Sequence, residues 1–576
     1  MNHLISPYQG ELIDLLLSDE EAEQLKIESE TFSAVVLSQR QQCDLELLLN
    51  GALSPLTGFM TEDIYNSVIE NTCLPDSVIW PIPYCLDVGD EFADIEIGSQ
   101  LALRDTEGFM PAVLTVESVW RVDKAKEAEA IYGTSDHEHP GVKYLFNSVG
   151  SFYIGGSVRG IQLPFHYDFD LLRNTPRELR QKFAKQGWQN IVAFHTSKPM
   201  HRVHHEITTL AANEANAHIL IHPVVGMSKP GDIQYYSRVH CYQAIMEYYP
   251  KGLVELSLLP AALRMAGPRE ALMNAIIRQN YGCSHYIVGT EHAAPPNVRD
   301  NAVRFYPTGA SQQYIKKYED ALDIKIVYAN ELCFNQQLGK FLPILEIKSA
   351  DCEAVKFSND KILEAISRSM VIPSWVTYPE VLSAMHQACP PREKQGITLF
   401  FTGLSGSGKS TLARIVYAKF IEHGVRPVTL LDGDVVRHNL SSELGFSKKD
   451  RDINVKRIGY VASEITKNRG VAICAPIAPY SKMRREVRAN IEQYGAFIEI
   501  HVSTSLEECE RRDRKGLYAK ARKGLIPEFT GISDPYDIPE NPELIINTEN
   551  VLPIQAAEEI HLYLVREGYI NSNTKV

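Results

Sequence analysis

The sharpest chemistry in the chain sits in Gly403-Leu-Ser-Gly-Ser-Gly-Lys-Ser-Thr411. The stretch fits G-x-x-x-x-G-K-[ST] at Gly403, Gly408, Lys409 and Ser410. Glycines there let backbone N–H groups turn inward around a polyphosphate, and a following helix N-terminus adds its positive end. Lys409 reaches the outer phosphates, and the Ser410 hydroxyl is a Mg²⁺ ligand. The ATP-binding set is therefore Gly403, Ser405, Gly406, Ser407, Gly408, Lys409, Ser410 and Thr411. A bland glycine turn is the plainer alternative. A chain of this length matches the pattern by chance roughly once in fifty.

Two further clusters carry reactive side chains. Asp432-Gly-Asp434 offers two carboxylates, fit to steer Mg²⁺ or to take a proton from an attacking hydroxyl; two solvated aspartates in a turn are the alternative. His201-Arg-Val-His204 puts two imidazoles on one face of a first helical turn, where they can donate to a polyphosphate and stabilise a pyrophosphate leaving group. With 18 histidines in the chain, an H-x-x-H arises by chance in roughly every second chain of this size. Core or surface histidines are the plainer reading. No third residue at suitable spacing completes a metal site.

The elements that must position these residues are legible as patterns. The apolar run Ile397–Thr402 and the helically spaced Leu412–Phe420 bracket the glycine loop, and Pro427–Leu431 reads as a second strand. To about residue 165 the chain reads as short strands, among them Ser33–Leu37, Val78–Pro81, Gln100–Arg104 and Ala112–Val119, with a turn at Asp105–Gly108. Gly150–Gly160, with four glycines, reads as a loop-rich boundary. Thr175-Pro-Arg-Glu178 is a helix start with Thr175 as N-cap. Asn190–Phe194, Ile219–Val225, Leu253–Leu258 and His285–Val288 are buried-strand candidates, separated by helix-like stretches such as His204–Ala217. That alternation predicts a parallel sheet with helices on its faces. Residues 326–390 form a smaller mixed region ending in the helix-like Tyr378–Gln387. Cys389–Gly396 is a linker, and Asn571–Val576 reads as a frayed tail.

The 576 residues suffice for three or four domains. Hydrophobic and charged fractions of 44% and 23% are those of a soluble globular protein, and the net charge of −14 argues against general binding to nucleic acid or acidic membranes. No apolar run reaches the length of a membrane span, and the N-terminus lacks a basic region followed by a signal core. Ten cysteines without a C-x-x-C pair point to reduced thiols in the cytoplasm.

The C-terminal part resembles adenylyl-sulfate (APS) kinase from about Gly396 to Tyr569. DGDVVRHNLSSELGFSKKDRDINVKRIG, CAPIAPYSKMRREVR and RRDRKGLYAKARKGLIPEFTGISDPYDIPENPEL carry the likeness. The resemblance implies Mg-ATP-dependent phosphorylation of a nucleotide 3′-hydroxyl. It assigns Arg437, Phe446, Arg451, Asn454 and Ile477 to the acceptor nucleotide, and Asp434 to the reacting hydroxyl and to Mg²⁺ with Ser410. It makes Lys515–Phe529 a lid, with Lys515 and Phe529 also facing the acceptor. Many relatives have a serine, often described as a phosphoserine intermediate, where this chain has Ala478. Direct in-line transfer needs no such residue.

Residues 1–390 resemble ATP sulfurylase through HPGVKYL, HYDFDLLR, TPRELR, HPVVGMSKPGDI, LRMAGPREALMNAIIRQNYG and IPSWVTYPEV. Together the two halves look like a bifunctional PAPS synthetase. That implies an α/β multidomain protein: a β-rich PUA-like domain (1–165), an α/β nucleotidyltransferase domain (166–325), a small third region with the linker (326–390) and a P-loop kinase domain (391–576). ATP, an oxyanion and Mg²⁺ are the small molecules implied, with no nucleic acid or membrane partner, and a homo-oligomer is the family expectation. His201 and His204 match the family's leaving-group histidines. The pocket departs from the pattern. Gln-Thr-Arg-Asn-Pro becomes His195-Thr196-Ser197-Lys198-Pro199, Gly-Arg-Asp-His-Ala-Gly becomes Gly289-Thr290-Glu-His292-Ala-Ala294, and Phe357-Ser-Asn-Asp-Lys replaces Ser-Gly-Thr-Glu-Leu-Arg. Two anion-facing arginines are thus Ser197 and Thr290, and a flexible lysine at 198 is no substitute for a planar guanidinium fork. Three readings stay open for this half: a variant sulfurylase, a nucleotidyltransferase for another nucleotide and oxyanion such as CTP with a phosphoramidate or phosphonate, or a non-catalytic regulatory domain.

Overall fold

The computed structural model describes residues 4–227, 235–295, 304–347, 354–355, 357–424, 426–445 and 447–570. It divides into two compact units, Met1–Asn359 with Pro373–Ala384, and Asp360–Ile372 with Met385–Val576.

The first unit opens with helices α1 (Asp19–Glu28), α2 (Gln39–Leu49), α3 (Glu62–Asn71), α4 (Lys124–Tyr132) and α5 (Pro140–Asn147) interleaved with strands β1 (Ser33–Val36), β2 (Gly58–Phe59), β3 (Leu86–Val88), β4 (Gln100–Arg104), β5 (Ala112–Thr115), β6 (Ser118–Arg121) and β7 (Phe152–Gly160). The sheet runs β1-β4-β5-β7-β2, and β3 and β6 also pair with β7. Two sequence readings change here. Val78–Pro81 contributes only an isolated bridge from Ile79 to Cys73, and Ala112–Val119 is two strands broken at residues 116–117.

The glycine-rich Gly150–Gly160 contains the longest strand of this sheet and not a loop. Its glycines serve close packing: a Cβ on Gly155 would lie 2.1 Å from Met60 O, and one on Gly156 1.9 Å from Thr115 O. Glycine in a strand marks close backbone approach as well as flexibility, and pattern alone does not separate the two.

The same unit continues through α6 (Pro176–Gln186), β8 (Ile191–Phe194), α7 (Arg202–Ala215), β9 (His218–Ile221), α8 (Tyr235–Met246), β10 (Val254–Leu256), α9 (Gly267–Asn280), β11 (His285–Val288), α10 (Ala310–Lys316) and β12 (Lys325–Tyr328). Thr175 and Glu178 form a reciprocal capping box at the start of α6, Pro176 takes its first position, and Gly187 ends it in the left-handed conformation. All five strands are parallel, in the order β10-β9-β8-β11-β12. Because β12 starts at Lys325, the expected division after residue 325 falls inside this sheet. One apolar core runs from Tyr8 to Ile324, so the strand-rich part and the parallel sheet are packed as a single body. Buried Asn280 ties them: it accepts from Tyr8 N–H (2.9 Å) and donates to the carbonyls of Ala52 and Ser54.

A small antiparallel sheet follows, β13 (Leu332–Asn335) between β14 (Lys340–Pro343) and, beyond α11 (Ile344–Ile347), β15 (Ala354–Val355). Helix α12 (Asn359–Ser367) belongs, after its first residue, to the second unit, and α13 (Pro379–Ala388) begins in the first unit and ends in the second.

In the second unit β16 (Ile397–Thr402), α14 (Lys409–His423), β17 (Val428–Asp432), α15 (Gly433–Leu440), α16 (Lys448–Lys467), β18 (Val471–Ala475), α17 (Ser481–Glu492), β19 (Ala496–Val502), α18 (Leu506–Arg512), α19 (Leu517–Arg522), β20 (Leu544–Ile546) and α20 (Pro553–Arg566) form a parallel sheet with helices on its faces. The order is β17-β18-β16-β19-β20. All six residues of the central strand β16 are buried, which is why it reads as a continuous apolar run without alternation.

Candidate active sites

In the first unit the strand order reverses between β8 and β11. The chain leaves β8 toward β9 on one side and leaves β11 toward β12 on the other. Ligands of open parallel sheets bind in the crevice outside the C-terminal ends of such a pair. His195, Thr196, Ser197 and Lys198 follow β8, and Gly289, Thr290 and His292 follow β11. The rings of His195 and His292 lie 5.2 Å apart across this point.

The turn after β8 is held by several groups. Thr196 Oγ1 accepts from Lys198 N–H and donates to Lys198 O, Tyr242 donates to the same carbonyl, and the Arg238 guanidinium donates to Ser197 O. The Lys198 side chain is exposed. After β11, Gly309 N–H donates to Thr290 O (2.8 Å) and His292 N–H to Gly289 O (3.4 Å), and Tyr286 Oη is 2.8 Å from His292 Nε2.

His201 is the N-cap of α7. Its Nε2 lies 2.7 Å from Asn359 Oδ1, which only accepts, and its Nδ1 lies 3.0 Å from Thr377 Oγ1. In this arrangement both ring nitrogens are engaged within the protein. The backbone N–H of His201 donates to His204 Nδ1 (3.0 Å), so the neutral His204 ring carries its proton on Nε2, as a donor. Burial pushes His201 down to about 4, and burial with the neighbouring His201 and Lys198 pushes His204 down to about 3. Burial and Arg278 take His292 to about 3, and burial, Arg278, His292 and His222 hold His195 well below its usual range. All four are neutral at pH 7.

Sequence reasoning missed Arg278. This fully buried residue on α9 donates from Nη2 to His195 Nδ1 at 2.9 Å. A lone cation inside the apolar helix of MNAIIRQNYG was the available signal. Asn359 and Thr377 were missed too, because they reach His201 across more than 150 residues.

In the second unit the glycine loop joins β16 to α14. Gly403 (φ 148°) and Gly408 (φ 106°) both sit where L side chains are disfavoured. A Cβ on Gly403 would also lie 2.6 Å from Val502 O. Ser407 O accepts from the hydroxyls of Thr504 and Thr548, and Arg512 braces Thr548 through Oγ1 and O. Tyr518 donates to Ser405 O at 2.8 Å. Gly406 and Thr411 lie within the same loop and the first turn of α14. Lys409 Nζ donates to Gly403 O and Leu404 O, so its ammonium rests on the loop's own carbonyls.

Ser410 Oγ lies 3.5 Å from Asp432 Oδ1, the last residue of β17. This pair of hard oxygen donors beside a phosphate loop suits Mg²⁺, which takes one or two protein oxygens and completes its shell with phosphates and water. Phe446 and the Asp434 side chain lie outside the described residues. Among the described residues no group of three or more His, Cys, Asp or Glu gathers as a metal site.

The other residues that the resemblance assigns to the acceptor nucleotide are placed differently from one another. Arg451 is buried and pairs with Asp534 (2.8 Å), Thr530 Oγ1 and Glu528 O, so it anchors the segment 528–534. Asn454 Oδ1 is buried without a hydrogen-bond partner. The Ile477 carbonyl accepts from Thr402 Oγ1 and Gly403 N–H. Arg437 donates to Leu444 O and Gly445 O. Lys515 is exposed just before α19, and Phe529 packs edge-on against Tyr518 at 5.0 Å. An open groove of about 510 Å³ runs along Leu404 and the stretch Gly531–Tyr536 with Ile538.

Three family models match the chain: the PUA-like domain over residues 5–163, ATP-sulfurylase over 170–388 and adenylylsulphate kinase over 395–547. A curated protein of Phaeosphaeria nodorum named sulfate adenylyltransferase is 44% identical over 569 residues, covering 98% of this chain and 99% of that one. Its namesake from Coccidioides immitis is 43% identical with the same coverage. A solved structure described as a hexameric APS kinase from Thiobacillus denitrificans is 39% identical, with a TM-score of 0.80 over 99% of this chain and 100% of its own.

Proposed function

This chain belongs to the ATP-sulfurylase family in the form fused to an adenylylsulphate kinase, and from that premise we propose that it activates sulfate in two steps. In the first unit a sulfate oxygen attacks the α-phosphorus of ATP. The bond from that phosphorus to the β-bridging oxygen breaks, giving APS and pyrophosphate. In the second unit the 3′-hydroxyl of APS attacks the γ-phosphorus of a second ATP. The bond to the β–γ bridging oxygen breaks, and ADP leaves with PAPS as the other product. The observation that carries this reading is the placement of the motif residues. His195–Lys198 and Gly289–His292 sit on either side of the β8–β11 reversal, and the phosphate loop sits at the C-terminal end of β16.

His204 is positioned as a neutral donor to the departing pyrophosphate, through Nε2–H. The backbone N–H groups of Gly403–Thr411 hold the ATP phosphates in the second unit. Asp434 takes the proton of the attacking hydroxyl, and Asn454 Oδ1 accepts from the acceptor nucleotide. Ser410 and Asp432 would hold Mg²⁺, which neutralises charge on the β- and γ-phosphates when bound. Closure of the 515–529 segment keeps water from the γ-phosphate. Nine described cysteines are free thiols, as suits a cytoplasmic setting. Among the described residues no helix is long and apolar enough to cross a membrane. A homo-oligomer is part of the proposal, and sizing of the purified chain tests it.

The deciding experiment measures pyrophosphate release from ATP and sulfate with inorganic pyrophosphatase present, and identifies the products by mass. APS and PAPS together are the expected result. Turnover only with another nucleotide and oxyanion would overturn the substrate assignment. Silence of the first unit, with added APS still phosphorylated, would reduce the activity to the kinase half.

A further inference from the structure

Arg278 carries a charge that the protein does not balance in the ordinary way. It has no exposed surface, yet among the described residues no carboxylate forms an ion pair with it. Nη1 donates to Asn274 Oδ1 (2.7 Å), and Nη2 donates to His222 O (3.2 Å) and His195 Nδ1 (2.9 Å). Nε has no hydrogen-bond partner. The guanidinium carbon lies 5.7 Å from the centre of the Tyr286 ring on β11. Glu270, earlier on the same helix, is engaged by the backbone N–H groups of Arg264 and Ala266. An isolated buried cation is costly unless an anion joins it.

The place is the crevice where the family motifs lie. His195 is only partly buried, and its contact to Arg278 leaves the other ring nitrogen for the crevice. A guanidinium only donates, so Nδ1 of His195 must accept, and a neutral ring then has its proton on Nε2. His222 from just after β9 and His292 from beyond β11 also feel Arg278, and both stay neutral.

We propose that Arg278 is the positioning residue for the oxyanion of the first unit. By donating to Nδ1 it fixes His195 as the Nε2–H tautomer, a donor to a tetrahedral oxyanion of the sulfate kind. It also lends that donor its positive charge, in the role that the resemblance gives to the guanidinium groups replaced by Ser197 and Thr290. The identity of the ligand rests on the sulfurylase reading, whereas the tautomer rests on the geometry alone.

The test uses the full-length chain labelled with ¹⁵N-histidine and a long-range ¹H–¹⁵N correlation spectrum, with His195 assigned from His195→Gln. The expected spectrum shows His195 protonated at Nε2 and not at Nδ1 from pH 8 to pH 6. Sodium sulfate with α,β-methylene-ATP should shift Nε2, and Arg278→Gln should give mixed tautomers. An Nδ1-protonated His195, or one unchanged by Arg278→Gln, overturns the positioning role. Should Arg278→Gln fail to fold, the wild-type spectrum and a kinetic pair decide. His195→Phe should raise KM for sulfate by about 10- to 100-fold with a much smaller change in kcat. His195→Gln, which still accepts from Arg278 and donates an N–H, should restore KM to within about 3-fold of wild type. Equal KM values in both variants overturn the proposal. Absence of pyrophosphate release by the wild type would overturn the sulfurylase reading, while the tautomer result would still decide the role of Arg278.

Discussion

Ser410 Oγ and Asp432 Oδ1 lie 3.5 Å apart, one in the first turn of α14 and the other at the end of β17. Asp432, which also pairs with Arg414 (3.4 Å), stands one residue before the helix that carries Asp434. Asp432→Asn should weaken Mg²⁺ affinity of the kinase reaction by about 10- to 100-fold. Titration of the APS-dependent ADP release with Mg²⁺ checks this. An unchanged half-saturating concentration would remove Asp432 from the metal site.

Lys409 rests on the carbonyls of Gly403 and Leu404, and must leave them to reach a phosphate. Lys409→Ala should lower phosphoryl transfer by about 10³-fold, since it removes a charge aimed at the transferring group. Pyrophosphate release from ATP and sulfate should persist in the same preparation. Loss of both activities from a folded variant would refute the division of labour between the two units.

The buried imidazoles make the first unit acid-sensitive. Burial lowers His201 to about 4, and both His204 and His292 to about 3, whereas in the unfolded chain they titrate near 6.5. Below pH 6.5 the unfolded state therefore binds more protons, and stability falls as pH drops toward the folded values. Each such histidine contributes a slope of roughly 1.4 kcal/mol per pH unit in that window. Urea unfolding followed by tryptophan fluorescence at pH 7, 6 and 5 measures it. A pH-independent midpoint would mean that these rings are already solvated in the native state.

The glycines of β7 are replaceable only at a cost. Gly156→Ala would push a methyl to within 1.9 Å of Thr115 O, a backbone atom that cannot swing aside. A loss of about 3 kcal/mol or more is expected from such overpacking. Gly187→Ala, in the left-handed cap of α6 with nothing within 4 Å, should cost about 1 kcal/mol. Thermal melts of the two variants rank them, and a smaller loss at Gly156 than at Gly187 would contradict the packing account.

The sequence by itself determined whatever depends on neighbours a few residues away. The glycine loop between Ile397–Thr402 and its helix, the Thr175–Glu178 cap and the short apolar strand His285–Val288 all read correctly because their hydrogen bonds close locally or their burial is uniform. The family motifs likewise supplied the residues from which both proposed sites are built. Only the tertiary structure decided which side chains meet. Strand order brings His195 to His292, α9 delivers Arg278 to His195, and the segment after β15 delivers Asn359 to His201. It also turned the glycines of Gly150–Gly160 from a presumed loop into the packed strand β7. These pairings depend on the order in which strands are laid into a sheet and on backbone separations across it, and neither leaves a periodic trace along the chain.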